Sequence, residues 1–321
     1  MISNSEFNQK LVELIAKYIP SKSEQLDLLM DITNMSKEAA YRRLRGDVPF
    51  SFSEACLVSQ RLGMSLDDIA MSGVKGKLVF ELRMHPNDLL DYNYQKLYEY
   101  EDSYDTRLSH ATHIMTAWNN IPYSLFFPYE NLSKIYIFKW LYQTREKGAP
   151  IKFSELILPE DVKNKIKDLG QRAFPDIECT YILERSLFSA FLIEIKHFHS
   201  LGLIGDDDMV VIKEELLVLI ADLEYMAVRG HTKTGSPIWL YLSNIDFDHN
   251  YTYVKGKDFE QAYMDNIYLM NTIISTNPEI CKMHQNWIES LRKYSTLISI
   301  SGERERKLFF DEQKQLIRDL I

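Results

Sequence analysis

Between residues 20 and 73 the chain cannot form one long helix, because start and stop signals alternate at short intervals. Ser21-Lys22-Ser23-Glu24 has capping-box spacing, with hydroxyl and carboxylate placed to satisfy N–H groups of a first helical turn. The spacing recurs at Ser51-Phe52-Ser53-Glu54 and, in an Asp form, at Ser65-Leu66-Asp67-Asp68, while Ser36 is a further N-cap candidate. Pro20, Asn34, Gly46 with Pro49, Gly63 and Gly73 supply the stops. Five short helices are expected, near 5–18, 22–33, 36–45, 51–62 and 65–71. Their apolar stripes, such as Phe7, Leu11, Leu14, Ile15 and Tyr18, are too narrow to hold a helix alone. The five should share one small core.

The third of these helices is unusually basic. Ser36-Lys37-Glu38-Ala39-Ala40-Tyr41-Arg42-Arg43-Leu44-Arg45 carries Lys37, Arg42, Arg43 and Arg45 within a chain whose 37 Lys and Arg are outnumbered by 46 Asp and Glu, for a net charge of −9. Ala40 and Leu44, four apart, share a core face. Lys37, Glu38, Tyr41, Arg42 and Arg45 then fall mostly on the exposed side. A solvated basic face would explain this helix taken alone. A short helix, a tight turn and then this helix is also the order that sets a second helix into a DNA major groove.

Met35-Ser36-Lys37-Glu38 through Arg45-Gly46-Asp47-Val48-Pro49-Phe50-Ser51, with Leu57, Leu62-Gly63 and Ser65-Leu66-Asp67 after it, resembles the lambda-repressor-like, Cro-type helix-turn-helix domain. The segment Ala40 to Pro49 is most similar to bacterial helix-turn-helix regulators with a long C-terminal extension. The resemblance spans about residues 5–72. It implies that Lys37, Glu38 and Tyr41 face base edges and that Arg42 and Arg45 clamp phosphates, or that one of the two reads guanine. It also implies that Ser36 and the free N–H groups at its helix start hold a phosphate. The chain departs from the family at two places. Leu26 and Met30 stand where Gln and Ala are usual, with Gln25 one residue off, and Arg43 replaces a bulky apolar residue.

The acidic balance excludes a uniformly basic nucleic-acid coat but leaves room for a local basic face. Cys56, Cys179 and Cys281 are odd in number and far apart, which fits reduced thiols in a cytoplasmic protein. Met1-Ile-Ser-Asn-Ser-Glu-Phe has neither a basic n-region nor an apolar h-region, so no secretory leader is expected. Apolar runs such as Leu216 to Ile220 are too short to cross a bilayer, and no membrane association is expected.

Ser72-Gly73-Val74-Lys75-Gly76 is the linker candidate, dividing a DNA-binding domain at 1–73 from a dimerisation and sensor domain at 74–321. Leu90, Tyr94, Leu97, Glu101, Tyr104 and Leu108 recur at heptad spacing. They could join two subunits or pack within one. Beyond them the pattern predicts a strand at 113–118 and helices at 129–143, from Pro159, at 181–200 and at 205–228. Strands follow at 238–242, 251–254 and 259–264, then helices at 279–295 and 302–319. The expected fold class is an all-α five-helix domain followed by a larger, mostly helical α+β domain with a small antiparallel sheet.

Three groupings could carry chemistry. The pairs His110/His113 and His197/His199 lack a neighbouring Cys or a His-Glu-x-x-His pattern, so surface histidines explain them better than metal ligands. Asp206-Asp207-Asp208 lacks the alternating ligands of a calcium loop and fits a helix start. Asp246, Asp248 and His249 could serve acid–base chemistry, but turn formation is the simpler account. Phosphate-loop, dinucleotide-binding and nucleophile-elbow motifs are absent. No enzyme, cofactor or metal is expected. The expected function is a homodimeric transcriptional regulator that binds double-stranded DNA, with an effector of unknown chemistry at its C-terminal domain. The rival is an interaction or ligand-sensing module whose helix-turn-helix domain no longer binds DNA.

Overall fold

A computed structural model describes residues 4–70, 80–83, 110–144, 151–171, 174–267 and 271–320. The linker candidate at 72–76 and the heptad seam at 90–108 lie outside these residues. The chain divides into two compact units, Met1–Val79 and Phe80–Ile321.

The first unit contains α1 (Asn4–Tyr18), α2 (Lys22–Thr33), α3 (Lys37–Leu44), α4 (Phe52–Leu62) and a single turn, α5 (Asp67–Ala70). The Ser36 and Ser51 hydroxyls accept from the N–H groups of Ala39 and Glu54, and Ser51 with Glu54 completes a capping box. Asn34 and Gly63 end α2 and α4 in the left-handed conformation, at φ 54° and 62°. Leu11, Ile15, Leu29, Ala40, Val58, Met64 and Ile69 form the core.

The second unit is built on an eight-stranded sheet in the order β1-β7-β6-β5-β2-β3-β4-β8. Its strands are β1 (Glu81–Arg83), β2 (Ala111–Trp118), β3 (Glu178–Leu183), β4 (Ile238–Ser243), β5 (Asn250–Gly256), β6 (Glu260–Ile267), β7 (Asn271–Ser275) and β8 (Ser295–Leu297). Strands β2, β3 and β4 are parallel, with Ile114 opposite Cys179 and Cys179 opposite Ile238. The β5-β6-β7 meander and the two edge strands are antiparallel.

Among the described residues, the helices are α6 (Glu130–Thr144) and α7 (Glu160–Gln171) between β2 and β3, and α8 (Ser189–Ser200) and α9 (Asp206–Arg229) between β3 and β4. Then come α10 (Pro278–Lys293) and α11 (Glu303–Arg318). Ile114, Tyr181 and Leu240 point from the central strands into a large core shared with α6 to α9 and α11. Parallel strands stepping in one direction require their crossovers on one face when each is right-handed. The opposite face holds Met115, Ala117 and Ile182 against Ile280, Cys281, Ile288 and Leu291 of α10.

This overturns the expected small antiparallel sheet: the sheet is large and mixed. The decisive segment is 181–200, which reads as one apolar helix and is instead the end of β3, a turn and α8. A central parallel strand is buried on both faces, so its sequence loses the alternation that marks a half-exposed strand. Tyr181, Ile182 and Leu183 are all buried. Among the described residues, no helix is long and apolar enough to cross a membrane.

Candidate nucleic-acid interface

The exposed surface of α3 is built by its caps and its core contacts. Ala40 is fully buried and Leu44 half-buried, which turns the opposite side of the helix to solvent. Ser36, Lys37, Glu38, Tyr41, Arg42 and Arg45 are all exposed and lie along one short helix and its caps. Three residues, Asn34 to Ser36, connect α2 to α3, as a helix-turn-helix requires. The left-handed Asn34 makes the reversal sharp.

The six residues are not equivalent. Lys37 and Arg42 make no ion pair among the described residues. The Arg45 Nε lies 3.3 Å from Asp47, and its guanidinium sits 5.7 Å from the centre of the Tyr41 ring. Arg45 must therefore exchange an exposed carboxylate for any phosphate it binds. That exchange costs little, because ion pairs at the surface contribute about 0–1 kcal/mol. The Ser36 hydroxyl caps the Ala39 N–H at 3.3 Å, and the first-turn N–H groups before it have no intrahelical carbonyl to bond.

Arg43 does something else. Its Nε and Nη2 donate to both carboxylate oxygens of Glu54 at 3.0 Å, with both side chains largely covered. Glu54 also accepts from the Ser51 N–H at 2.7 Å, so one carboxylate joins the start of α4 to α3. Chiefly through the Arg43 hydrogen bond, the Glu54 carboxyl is held below its ordinary range. The stabilisation is present at neutral pH and is lost as pH falls through that lowered value. This ion pair fixes the base of the exposed helix.

Gln25 is buried, and its Nε2 donates to the Ile19 carbonyl at 2.6 Å. It ties α2 to the end of α1 and is not offered at the surface. Asn8 reaches the loop after α3 and accepts from the Phe50 N–H at 2.9 Å. Neither contact is visible in a local motif, because the partners stand far apart in sequence.

In the second unit the chemical candidates separate. His113 is half-buried, and burial holds its imidazole below the ordinary range, while His110 is exposed. His199 Nε2 lies 2.8 Å from Asp206, joining the end of α8 to the start of α9, and His197 is exposed. Asp208 accepts from the Gly205 N–H at 3.2 Å, a capping contact. Asp248 accepts from the Tyr251 hydroxyl at 2.6 Å, which holds its carboxyl low, and His249 stacks on Tyr251. Asp246 points away into solvent.

Among the described residues, no group of three or more His, Cys, Asp or Glu side chains is placed to hold a metal ion. Cys179 and Cys281 are buried free thiols, pushed up to about 12 and about 11 by desolvation. A cavity of about 210 Å³ lies between the segment that precedes α6, the end of α7 and α9, with Phe174, Leu219 and Met226 in its wall. At its mouth Asp222 accepts from the Tyr129 hydroxyl at 2.9 Å and pairs with Lys233 at 2.8 Å. No protein-family model matches the chain, and no curated protein matches it.

Proposed function

We propose that the chain is a sequence-specific DNA-binding transcriptional regulator acting as a homodimer, with α3 as its major-groove helix. The observation that carries the reading is the single exposed surface formed by Ser36, Lys37, Glu38, Tyr41, Arg42 and Arg45 behind a three-residue turn. Arg42, which makes no ion pair among the described residues, meets a phosphate directly, Arg45 joins it by leaving Asp47, and Lys37 faces base edges. Tyr41 and Glu38 read base edges. The acidic remainder suppresses loose, sequence-independent binding.

The experiment is a salt titration of duplex binding by fluorescence anisotropy. Arg42→Ala should weaken binding to all sequences alike, by about fivefold at 0.15 M salt, and flatten the salt slope by about one. Tyr41→Ala should leave that slope unchanged and relax the preference at particular bases. Parent and Arg42→Ala with equal slopes would remove Arg42 from the phosphate contacts. The rival reading, an interaction or ligand-sensing module, draws on the Arg45–Asp47 pair and the net charge of −9. It requires that the folded parent bind no duplex at all.

A further inference from the structure

Helix α9 has two apolar faces, and only one is buried in the core formed by the described residues of its own subunit. Met209, Ile212, Leu216, Leu219, Ile220, Leu223 and Met226 are buried in the large core. On the opposite side Val211, Glu214, Val218, Ala221, Tyr225 and Val228 recur at spacings of 3-4-3-4-3, with Val210 beside them. Val218 and Val228 are each 53% exposed, Val210 45% and Tyr225 44%. A helix packed by one face should present charged residues on the other. Single exposed valines need no explanation, but a heptad stripe of them has the pattern of a helix–helix seam.

The charges along this stripe say what covers it. Acids stand at its start, Asp206 and Asp207, followed by Glu214; its far end carries Arg229, stacked on Tyr225 at 4.9 Å. A second α9 lying parallel would set acid against acid. Lying antiparallel, it sets the acidic end of each helix against the Arg229 end of the other, and the two helix dipoles oppose favourably. A two-fold axis at Ala221 places Glu214, seven residues before it, beside Val228 and Arg229 of the second copy, seven and eight residues after it. It also brings each Val218 against the other Tyr225, and the small Ala221 side chains let the backbones approach. A two-fold seam must be complementary to itself in this way. The helix is about 36 Å long by its rise per residue, so the seam runs the length of the unit's longest described helix.

We infer that the exposed face of α9 is the surface on which two copies of this chain pair, antiparallel and centred on Ala221. This deepens the dimeric reading above by naming its interface, and it is tested without DNA.

The test is sedimentation velocity of the full chain from about 1 to 50 µM, a range that resolves ordinary specific dimers. The parent should be a dimer. Val218→Glu should raise the dissociation constant by about 100-fold or more, by burying an unpaired charge, with an unchanged circular-dichroism spectrum. Glu214→Arg should weaken the dimer by about tenfold, and adding Arg229→Glu should recover it, because the swap restores opposite charges. A parent that remains monomeric at 50 µM would overturn the inference and leave the stripe to another occupant. So would a Val218→Glu dimer as tight as the parent, which would place the contact elsewhere. A charge swap that fails to recover the dimer would overturn the antiparallel register. A stable dimer without duplex binding would sink the regulator reading and leave this interface standing.

Discussion

Gly302→Ala is expected to destabilise the second unit by about 3 kcal/mol or more, lowering its unfolding midpoint by about 6–12 °C for a unit of this size. Gly302 is the N-cap of α11 with φ 67°, where an L side chain alone costs about 1–2 kcal/mol. The larger cost is contact. A Cβ built there would stand 2.1 Å from the Leu297 carbonyl oxygen and 3.2 Å from its carbon, so backbone must move.

That backbone is not free to move. Leu297 pairs with Tyr241 on β4, the Ser299 hydroxyl accepts from the Leu240 N–H at 3.1 Å, and Arg306 Nη1 donates to the Ile298 and Ser301 carbonyls at 2.8 and 3.0 Å. Arg306 is buried and makes no ion pair among the described residues; carbonyl oxygens are its partners. The control is Gly202→Ala, in the same unit at φ 68° with nothing within 4 Å of the added carbon. It should lose only the conformational part, about 1–2 kcal/mol. Thermal unfolding of both variants decides the matter, and equal losses would show that the Leu297 contact relaxes freely.

The second large effect is a pH dependence centred on His284. This imidazole is 5% exposed on α10, edge-on to the Tyr251 ring at 5.4 Å. Its Nε2 has no hydrogen-bond partner. Burial pushes it down to about 4 from an ordinary 6.5, against a smaller opposing contribution from the Tyr263 backbone. The sign follows from proton counting. As pH falls below about 6.5 the unfolded chain takes up a proton that the folded chain refuses until about 4. Stability therefore declines across that window, by about 3 kcal/mol from this residue once the gap is converted at about 1.4 kcal/mol per tenfold and reduced for the partial titration at each end. His284→Leu should remove that component while keeping an apolar side chain against Tyr251. Urea unfolding of parent and variant at pH 7 and pH 4 measures it. The same loss in both proteins would assign the acid sensitivity elsewhere.

What the sequence discloses follows the range of the interactions. Ser36, Ser51, Gly63 and Gly230 mark helix ends correctly because caps act within a few residues of themselves. The six residues of the α3 surface are legible for the same reason: helical spacing alone sorts Ala40 and Leu44 from Tyr41, Arg42 and Arg45. The Arg43–Glu54 pair and the anchoring of Gln25 on Ile19 are not, since each depends on how two helices meet. Strand β3 is hidden by its double burial. The edge strands β1 and β8 are three residues each, too short to carry a period.

The α9 stripe is hidden differently. Its exposed valines sit among core residues of the same type, and only burial separates the two faces. In α10 and α11 polar residues mark the outer face, so their extents read correctly to within a few residues.

Selection from a random duplex pool by the intact protein at about 0.15 M salt decides whether α3 reads DNA. The expected result is enrichment of a palindrome whose half-sites lie about one helical turn apart, as two copies of α3 held by one dimer would require. No enrichment by protein shown to be folded would contradict it.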